Sequence, residues 1–234
     1  MTQDPKLHHV AAAMADARRA RMLCTLMDGR AFTAKELAAD AGITPQTASA
    51  HLAHLRDAGL IVARRSGRCI YHRLAGTAVA EMLESVGRLA PLDHLQRARR
   101  RRGARRDGAA ALHARCCYDH LAGALGVAVH DAMCAAGHLE RQGAAYALSG
   151  SGQAWALRAG FTLRGEARPC LDWSERREHL AGPLARDLLA QMLERGWLGR
   201  ERTGRALIVS DAGRVALARV FGMDEEWVVT VGTG

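Results

Sequence analysis

Two adjacent cysteines in the second half of the chain have the residue types of a soft-metal site. In the run ARCCYDHL, residues 114–121, Cys116 and His120 are four residues apart, as are His113 and Cys117. On a helix, that spacing brings a thiolate and an imidazole to one face. Thiolates favour soft ions, and imidazole suits zinc or haem iron. The run predicts that Cys116, Cys117 and His120 bind a soft metal, a metalloid or haem, or that the thiolates react with an oxidant.

Such a site needs a second segment of the chain. Neighbouring side chains on a helix point about 100° apart, so a ligand on one side cannot contact both Cys116 and Cys117. Cys170, beside Pro169, is a candidate for a third thiolate. The plainer alternative is that the cysteines have only a structural role.

The aromatic residues suggest a different kind of binding site, for an organic ligand. All four tryptophans lie in the second half of the chain, and Tyr118 follows the cysteine pair. Aromatic-lined pockets suit apolar or planar ligands. The alternative site is therefore a pocket lined by Tyr118, Trp155, Trp173 and Trp197, although these side chains would equally serve as core.

A duplicated pattern predicts the elements that position these residues. The tetrapeptide HLAG occurs at residues 120–123 and again at 179–182, an offset of 59. Further matches follow, at the same offset or after a two-residue insertion: Leu125 with Leu184, Gly137 with Gly196, Leu139 with Leu198, Ser149 with Ser210 and Gly152 with Gly213. Each copy has the pattern of a helix, a hairpin and a second helix. This predicts an α+β domain over residues 112–225 made of two degenerate winged-helix-like repeats; chance recurrence is the alternative.

The alignment of the two copies also bears on the cysteines. At the offset of 59, Cys116 and Cys117 match Glu175 and Arg176, whereas His120 matches His179. A charged pair is typical of an exposed position. The alignment therefore favours a reactive or ligating role for the cysteines over a core role.

In the first half of the chain, the residues after Thr44 have the pattern of a capped amphipathic helix that contacts DNA. Pro45 suits its first turn, and apolar residues recur at helical spacing until Gly59 ends it. The other face has short polar side chains able to reach base edges and phosphates. The predicted contact residues on this helix are Thr44, Gln46, Thr47, Ser49 and His51.

The flanking segments complete a DNA-binding module. Two β-rich runs, 60–64 and 69–74, are joined by the basic turn Arg65-Ser66-Gly67-Arg68, which predicts a wing. Arg64, Arg65 and Arg68 are expected on the DNA backbone or in the minor groove. Upstream, the T-x-x-E pattern of residues 33–36 is a capping box that opens a helix over 34–41. Two helices joined by a turn form a helix-turn-helix.

Residues 8–90 resemble the winged helix-turn-helix of the ArsR family of dimeric bacterial repressors. The resemblance rests on the ELAxxxGI turn, the TxSxHLxxL helix and the GL…G…Y wing. It implies a double-stranded DNA operator, a homodimer joined through a helix over 77–89, and release of DNA by a small effector. The metal-binding residues of some family members have no counterpart in this sequence, because residues 36–40 lack a thiol and residues 77–87 lack His and Asp. The sensor is therefore expected in the second half.

The domain boundaries follow from composition. Residues 1–91 are predicted to form the DNA-binding and dimerisation domain, 92–111 a linker and 226–234 a tail. The linker has seven arginines between residues 97 and 106. Like charges repel and keep such a block exposed, where it either contacts phosphates or acts as a solvated hinge.

Composition narrows the class of protein. The net charge of +9 and the pI near 9.9 suit a partner that is a polyanion. No apolar run is long enough for a bilayer, and the start MTQDPKLHHV lacks a signal core, so we expect a cytoplasmic protein without a membrane partner, with its six cysteines as thiols. No HExxH, Ser/His/Asp set or phosphate loop indicates an enzyme.

These observations predict a mainly α fold with small β-hairpins (α+β): a winged helix-turn-helix followed by two degenerate repeats. The predicted function is a dimeric, sequence-specific transcriptional repressor released by an effector in the second domain. One alternative is a repressor that senses an apolar or planar molecule. Another is an architectural nucleic-acid-binding protein that uses only its charge, and sequence-specific competition would distinguish it.

Overall fold

The chain forms two compact units. The structure is a computed structural model that describes residues 6–90, 113–201 and 204–224. The first unit runs to Leu83 and takes in Gly204 and Arg205, and the second comprises the rest from Glu84 onward. The predicted arginine-rich linker, the tail and Trp227 lie outside the described residues. Among the described helices, none is long and apolar enough to cross a membrane.

The first unit combines helices with a three-stranded antiparallel sheet in the order β1-β3-β2. Its elements are α1 (Leu7–Met14), α2 (Ala17–Leu26), β1 (Phe32–Thr33), α3 (Ala34–Ala41), α4 (Pro45–Asp57), β2 (Ile61–Ser66), β3 (Cys69–Leu74) and the part of α5 (Thr77–Leu89) up to Leu83. The predicted winged helix-turn-helix is confirmed, with α4 as the second helix of the motif and the β2–β3 hairpin as the wing.

Local capping determines where α3 and α4 begin. The Thr33 hydroxyl accepts a hydrogen bond from the Glu36 amide, and the Glu36 carboxylate accepts one from the Thr33 amide at 2.7 Å. This is the predicted capping box. At the start of α4, the Thr44 hydroxyl accepts from the Thr47 amide, and Pro45 is the first helical residue.

A half-buried carboxylate joins α3 to α2. Asp40 accepts hydrogen bonds from Nε and NH2 of Arg21 at 2.9 and 3.0 Å, and from the Thr25 hydroxyl at 2.5 Å. Burial would raise the pKa of the Asp40 carboxyl, but these partners hold it below its usual value. The apolar residues Leu52 and Leu55 of α4 are buried, so α4 turns its other face outward.

The second unit has four hairpins, each followed by a helix, in its described residues. The elements are β4 (Arg115–Cys117), β5 (His120–Ala122), α6 (Gly123–Ala135), β6 (Leu139–Gln142), β7 (Ala145–Leu148), α7 (Gly150–Arg158), β8 (Arg168–Leu171), β9 (Glu178–Ala181), α8 (Pro183–Glu194), β10 (Leu198–Arg200), β11 (Leu207–Val209) and α9 (Asp211–Phe221). The order hairpin, helix, hairpin, helix therefore occurs twice.

The two repeats match in detail. Ser149 caps α7 by accepting from the Gly152 amide, and Ser210 caps α9 by accepting from the Gly213 amide, both at 2.9 Å. The repeats are not independent domains, because α6 packs against β9 and α8 packs against β5. Each repeat thus covers the first hairpin of the other.

The run 114–121 forms a hairpin, and the prediction that it is a helix is wrong. Cys117 pairs with His120 across a two-residue turn in the β4–β5 ladder. The i, i+4 spacing of Cys116 and His120 therefore does not place their side chains on one helical face. Side chains of successive strand residues point to opposite faces, so Cys116 and Cys117 diverge.

Candidate nucleic-acid interface and candidate metal centre

The outward face of α4 presents the predicted polar side chains. Gln46, Thr47 and Ser49 are exposed in its first two turns. The Ser49 hydroxyl donates to the Pro45 carbonyl at 2.9 Å, and the Thr47 hydroxyl is 2.9 Å from that of Thr44. Gln46 is therefore the long side chain of this face that is available to read a base edge.

His51 differs from the other predicted contact residues. Its Nδ1 is 3.3 Å from NH1 of Arg19 and 4.0 Å from a carboxylate oxygen of Asp16, and the side chain is half-buried. Arg19 in turn donates to the carbonyls of Ala12 and Ala13. His51 thus joins α4 to the first two helices, and any contribution to DNA contact has to come from its remaining ring edge.

The wing is a two-residue hairpin that carries exposed arginines. Ser66 pairs with Cys69, so Gly67 and Arg68 form its tip. Arg64, Arg65 and Arg68 are all exposed. Cationic side chains on a ribbon beside the reading helix suit phosphate contact.

A second cluster lies in the other unit, where two hairpins bring four ligand atoms together. One thiol and one imidazole come from β4–β5, and one of each from β8–β9. All four ligand atoms lie within 4.8 Å of one another, and the residues are Cys117, His120, Cys170 and His179. Cys117, His120 and His179 are buried, and Cys170 is half-buried. Thiolate and imidazole are the ligand types of zinc and other soft or borderline cations.

Cys116, predicted as a ligand, is outside this cluster. Its side chain is fully buried among the apolar core residues, and its thiol donates to the Tyr118 carbonyl at 3.3 Å. The predicted set is therefore corrected. The structure brings Cys117 and His120 together with Cys170, the candidate third thiolate, and with His179, which was not predicted as a ligand.

The sequence contained a signal that Cys117 and Cys170 are equivalent positions of the two repeats. The backbone amides of Tyr146 and Leu207 occupy equivalent places, and they donate to the carbonyls of Ala167 and Ala114 respectively. The segments Ala-Arg-Cys-Cys at 114–117 and Ala-Arg-Pro-Cys at 167–170 are thus equivalent. Cys117 corresponds to Cys170, not to Arg176, because the segment between the cysteine and the next histidine is six residues longer in the second hairpin.

Neighbouring groups favour the deprotonated form of the Cys170 thiol, which is the form that binds a metal ion. The Cys117 thiol and the two imidazoles beside Cys170 hold the pKa of that thiol far below its ordinary value, although burial opposes the shift. Burial alone would lower the pKa of His120, but Asp119 and Cys170 raise it. These surroundings therefore favour the thiolate form of Cys170. A cation that binds there displaces a proton.

Each imidazole of the cluster has a carboxylate next to its Nδ1 atom. Nδ1 of His120 is hydrogen-bonded to Asp119 at 3.0 Å, and Nδ1 of His179 lies 3.4 Å from Oδ2 of Asp172. The hydrogen bond to Asp119 fixes the tautomer of His120 and directs its Nε2 toward a ligand, whereas the longer approach of Asp172 to His179 is not a hydrogen bond. The Nε2 atoms of both rings are buried and have no hydrogen-bond partner of normal geometry.

The four residues predicted to line an aromatic pocket lie in two different environments, the apolar core and the hairpin loops. Trp155 is buried in the core, donates to the Val220 carbonyl and packs near Phe161, which also contacts Trp197. Trp173 lies in the β8–β9 loop with the Arg115 guanidinium over its ring, 4.7 Å from the centroid. Tyr118 lies in the β4–β5 turn. Trp155 and Trp197 therefore act as core, as the plainer alternative expected.

Comparison with known proteins identifies the family. A profile described as a helix-turn-helix domain matches residues 14–64. The HTH-type transcriptional regulator YdfF of Bacillus subtilis (strain 168) is 35% identical over 224 residues, which cover 92% of this chain and 97% of YdfF. The chain belongs to the ArsR-type winged-helix transcriptional regulators. As a member of that family it is a DNA-binding transcriptional regulator and not an enzyme.

Two further relatives of this ArsR-type regulator match a shorter part. CmtR of Mycobacterium tuberculosis (strain H37Rv) is 37% identical over 81 residues, 35% of this chain and 68% of CmtR. The solved structure of CmtR, a cadmium metal sensor, covers 36% of this chain and 84% of its own, with 33% identity and a TM-score of 0.30. The homodimeric winged helix-turn-helix domain of Mb0332 from Mycobacterium bovis covers 37% of this chain and 86% of its own, with 31% identity and a TM-score of 0.33.

Proposed function

We propose that this regulator is a homodimeric repressor that binds one operator through α4 and the wing. The observation that carries the proposal is the exposed polar face of α4 beside the exposed arginines of β2 and the wing tip. In a winged helix-turn-helix, the second helix enters the major groove, and a dimer places two such helices about one turn of DNA apart, roughly 34 Å. The predicted operator is therefore nearly palindromic.

The dimer is proposed to form through α5. Two apolar side chains near its end are exposed in the single chain, Val86 at 43% and Leu89 at 87%. Burial of exposed apolar side chains against a second copy would be favourable. Analytical ultracentrifugation that finds only a monomer at concentrations that bind the operator would contradict this part of the proposal.

Removal of Gln46 and removal of Arg65 should weaken DNA binding in different ways. We expect Gln46→Ala to relax sequence preference, because it removes a base contact. Arg65→Ala should weaken binding to all sequences alike and lower the salt slope by about one unit, because it removes a phosphate contact. The measurement is a titration of operator and scrambled DNA at several salt concentrations.

A matched control is Arg141→Ala, which removes an exposed arginine from the β6–β7 hairpin of the second unit. It should leave both the affinity and the salt slope unchanged. Equal affinity of the unaltered protein for operator and scrambled DNA would instead indicate an architectural protein.

The effector site is proposed to be the cluster of Cys117, His120, Cys170 and His179. Its support is the proximity of two thiols and two imidazoles, in surroundings that favour the thiolate. A soft metal or metalloid, haem, or an oxidant could act there, and the bound state would have lower affinity for DNA. A hundredfold loss of affinity requires a coupling of only about 2.7 kcal/mol.

The double variant Cys117→Ser, Cys170→Ser should remain a repressor that no longer responds to its inducer. The test is a reporter strain challenged with zinc, cadmium, arsenite, haem and peroxide. Cys134→Ser, which alters an exposed thiol outside the cluster, should respond normally. If the double variant derepresses like the unaltered protein under every active inducer, the effector site lies elsewhere, and a pocket that involves Tyr118 or Trp173 becomes the better hypothesis.

A further inference from the structure

We propose that Cys117, His120, Cys170 and His179 hold one divalent cation of tetrahedral preference, of the Zn²⁺ or Cd²⁺ class, and that the ion joins the two repeats of the second unit. The inference deepens the effector part of the proposed function, on which its regulatory consequence rests, by naming the ligand and the coordination. Ion binding can be measured on the DNA-free protein, separately from operator binding.

The distances suit an ion with four protein ligands. In a tetrahedral site with Zn–S near 2.3 Å and Zn–N near 2.0 Å, neighbouring ligand atoms are roughly 3.3–3.8 Å apart. Here the largest separation among the four atoms is 4.8 Å. An ion at the centre therefore requires an approach of roughly 1–1.5 Å between the most distant pair, which is within the reach of side-chain rotation.

The orientation of the histidines is an independent observation. Neither buried Nε2 atom makes a hydrogen bond of normal geometry, although both rings lie beside the Cys170 thiol, and an ion held between these groups would satisfy both atoms. Both Nδ1 atoms face carboxylates, as in the carboxylate–histidine–metal arrangement. The two rings lie close together, with centroids 5.2 Å apart.

The charges around the site favour a divalent ion. Asp119 is paired with Arg186, and Asp172 is paired with the buried Arg115. These two pairs cancel, so in the ion-bound form, with both cysteines deprotonated and both imidazoles neutral, the two thiolates are the charge that the ion has to balance. A divalent cation makes the buried site electroneutral, whereas a monovalent ion leaves one charge uncompensated, which burial makes costly.

The four donor atoms also favour some of the candidate bound species over others. Each repeat contributes one thiolate and one imidazole, and together they fill a tetrahedron without an open position, as in structural zinc sites. A trivalent metalloid that takes three thiolates finds only two at this cluster. Because ligands come from both hairpins, the ion binds well only when β4–β5 and β8–β9 are correctly placed, and binding therefore stabilises the second unit.

The test uses the full-length protein, purified with reduced thiols and freed of metal by chelation. Zn²⁺ affinity and stoichiometry are measured by competition with a chromophoric chelator and by elemental analysis, and Co²⁺ is the spectroscopic probe. We expect one ion per chain, visible bands of tetrahedral Co²⁺, a sulfur-to-cobalt charge-transfer band in the near ultraviolet, and a higher melting temperature with Zn²⁺.

Single substitutions identify the ligands. Cys117→Ser and Cys170→Ser should each halve the charge-transfer band and weaken Zn²⁺ binding by more than the roughly 10- to 100-fold that loss of an outer partner costs. Asp119→Asn should weaken binding about tenfold and leave the band intact. Cys134→Ser is the matched control and should bind like the unaltered protein. Unchanged operator binding and circular dichroism of the metal-free variants show that they are folded.

The outcomes distinguish this inference from the proposed function. If the folded protein binds no Zn²⁺ or Co²⁺ while it still binds its operator, the metal site is wrong and the repressor stands. If Co²⁺ binds without a thiolate band, or if Cys170→Ser binds normally, the ligand set is wrong. If one ion binds as described but operator affinity does not change, the metal site stands and the sensing role fails.

Discussion

Gly152→Ala and Gly213→Ala are each expected to lower the free energy of unfolding of the second unit by about 3 kcal/mol. A Cβ at Gly152 would collide with the His138 carbonyl oxygen, and one at Gly213 with the equivalent oxygen of Trp197. Neither oxygen can move freely, because each accepts the amide hydrogen bond of the serine that caps the helix, at 3.0 Å. Urea denaturation followed by circular dichroism measures the effect.

Gly150→Ala provides a control within the same helical turn. Nothing lies within 4 Å of a Cβ added there, and the backbone needs no left-handed conformation. This variant should be neutral or more stable by roughly 0.4–1 kcal/mol, because alanine restricts the unfolded chain. Equal denaturation midpoints for Gly150→Ala and Gly152→Ala would show that the close approach of α7 to the preceding hairpin is absent.

Asp172→Asn should destabilise the second unit by about 3–5 kcal/mol, the range for breaking a buried ion pair. The side chains of Asp172 and Arg115 are 0% and 1% exposed, and their charged groups are 2.5 Å apart. Asp172 also accepts hydrogen bonds from the Gly123 amide and from Ser174. Burial would raise the pKa of Asp172, but Arg115 and these donors hold it well below its usual range. The amide would remove the carboxylate charge that faces the buried Arg115 guanidinium.

This measurement is made on metal-free protein in chelator, so that loss of the carboxylate near His179 does not act through an ion. Arg164→Gln is the control, because it breaks an ion pair with Asp187 whose arginine is 80% exposed. Solvent screens such a pair, and its loss should move the denaturation midpoint little. The double variant Arg115→Met, Asp172→Leu should regain stability relative to Asp172→Asn, since removal of both buried charges avoids the uncompensated one. A cost for Asp172→Asn no larger than that of Arg164→Gln would contradict this account.

The first unit could be predicted closely because its signals are local. The capping residues Thr33 and Thr44 act on amides three residues away, so α3 and α4 begin where the sequence predicts. Helical periodicity indicated which face of α4 is buried, and the basic turn predicted over residues 65–68 indicated the wing, whose tip the structure narrows to Gly67 and Arg68. The same reasoning could not anticipate that the His51 ring is engaged by Arg19, since that contact joins residues 32 positions apart.

In the second unit, the sequence by itself determined the repeat and its helices, and it made Cys117, His120 and Cys170 candidate ligands. It did not determine that these residues meet or that His179 joins them. A short run such as 114–121 has no length over which helical and strand periods can be told apart, and only pairing with β5 selected the strand. The six-residue insertion in the second loop hid the equivalence of Cys117 and Cys170 from an ungapped comparison. Packing of the two hairpins then brought all four ligand atoms together, because juxtaposition of residues distant in sequence is decided by tertiary contacts and not by local spacing.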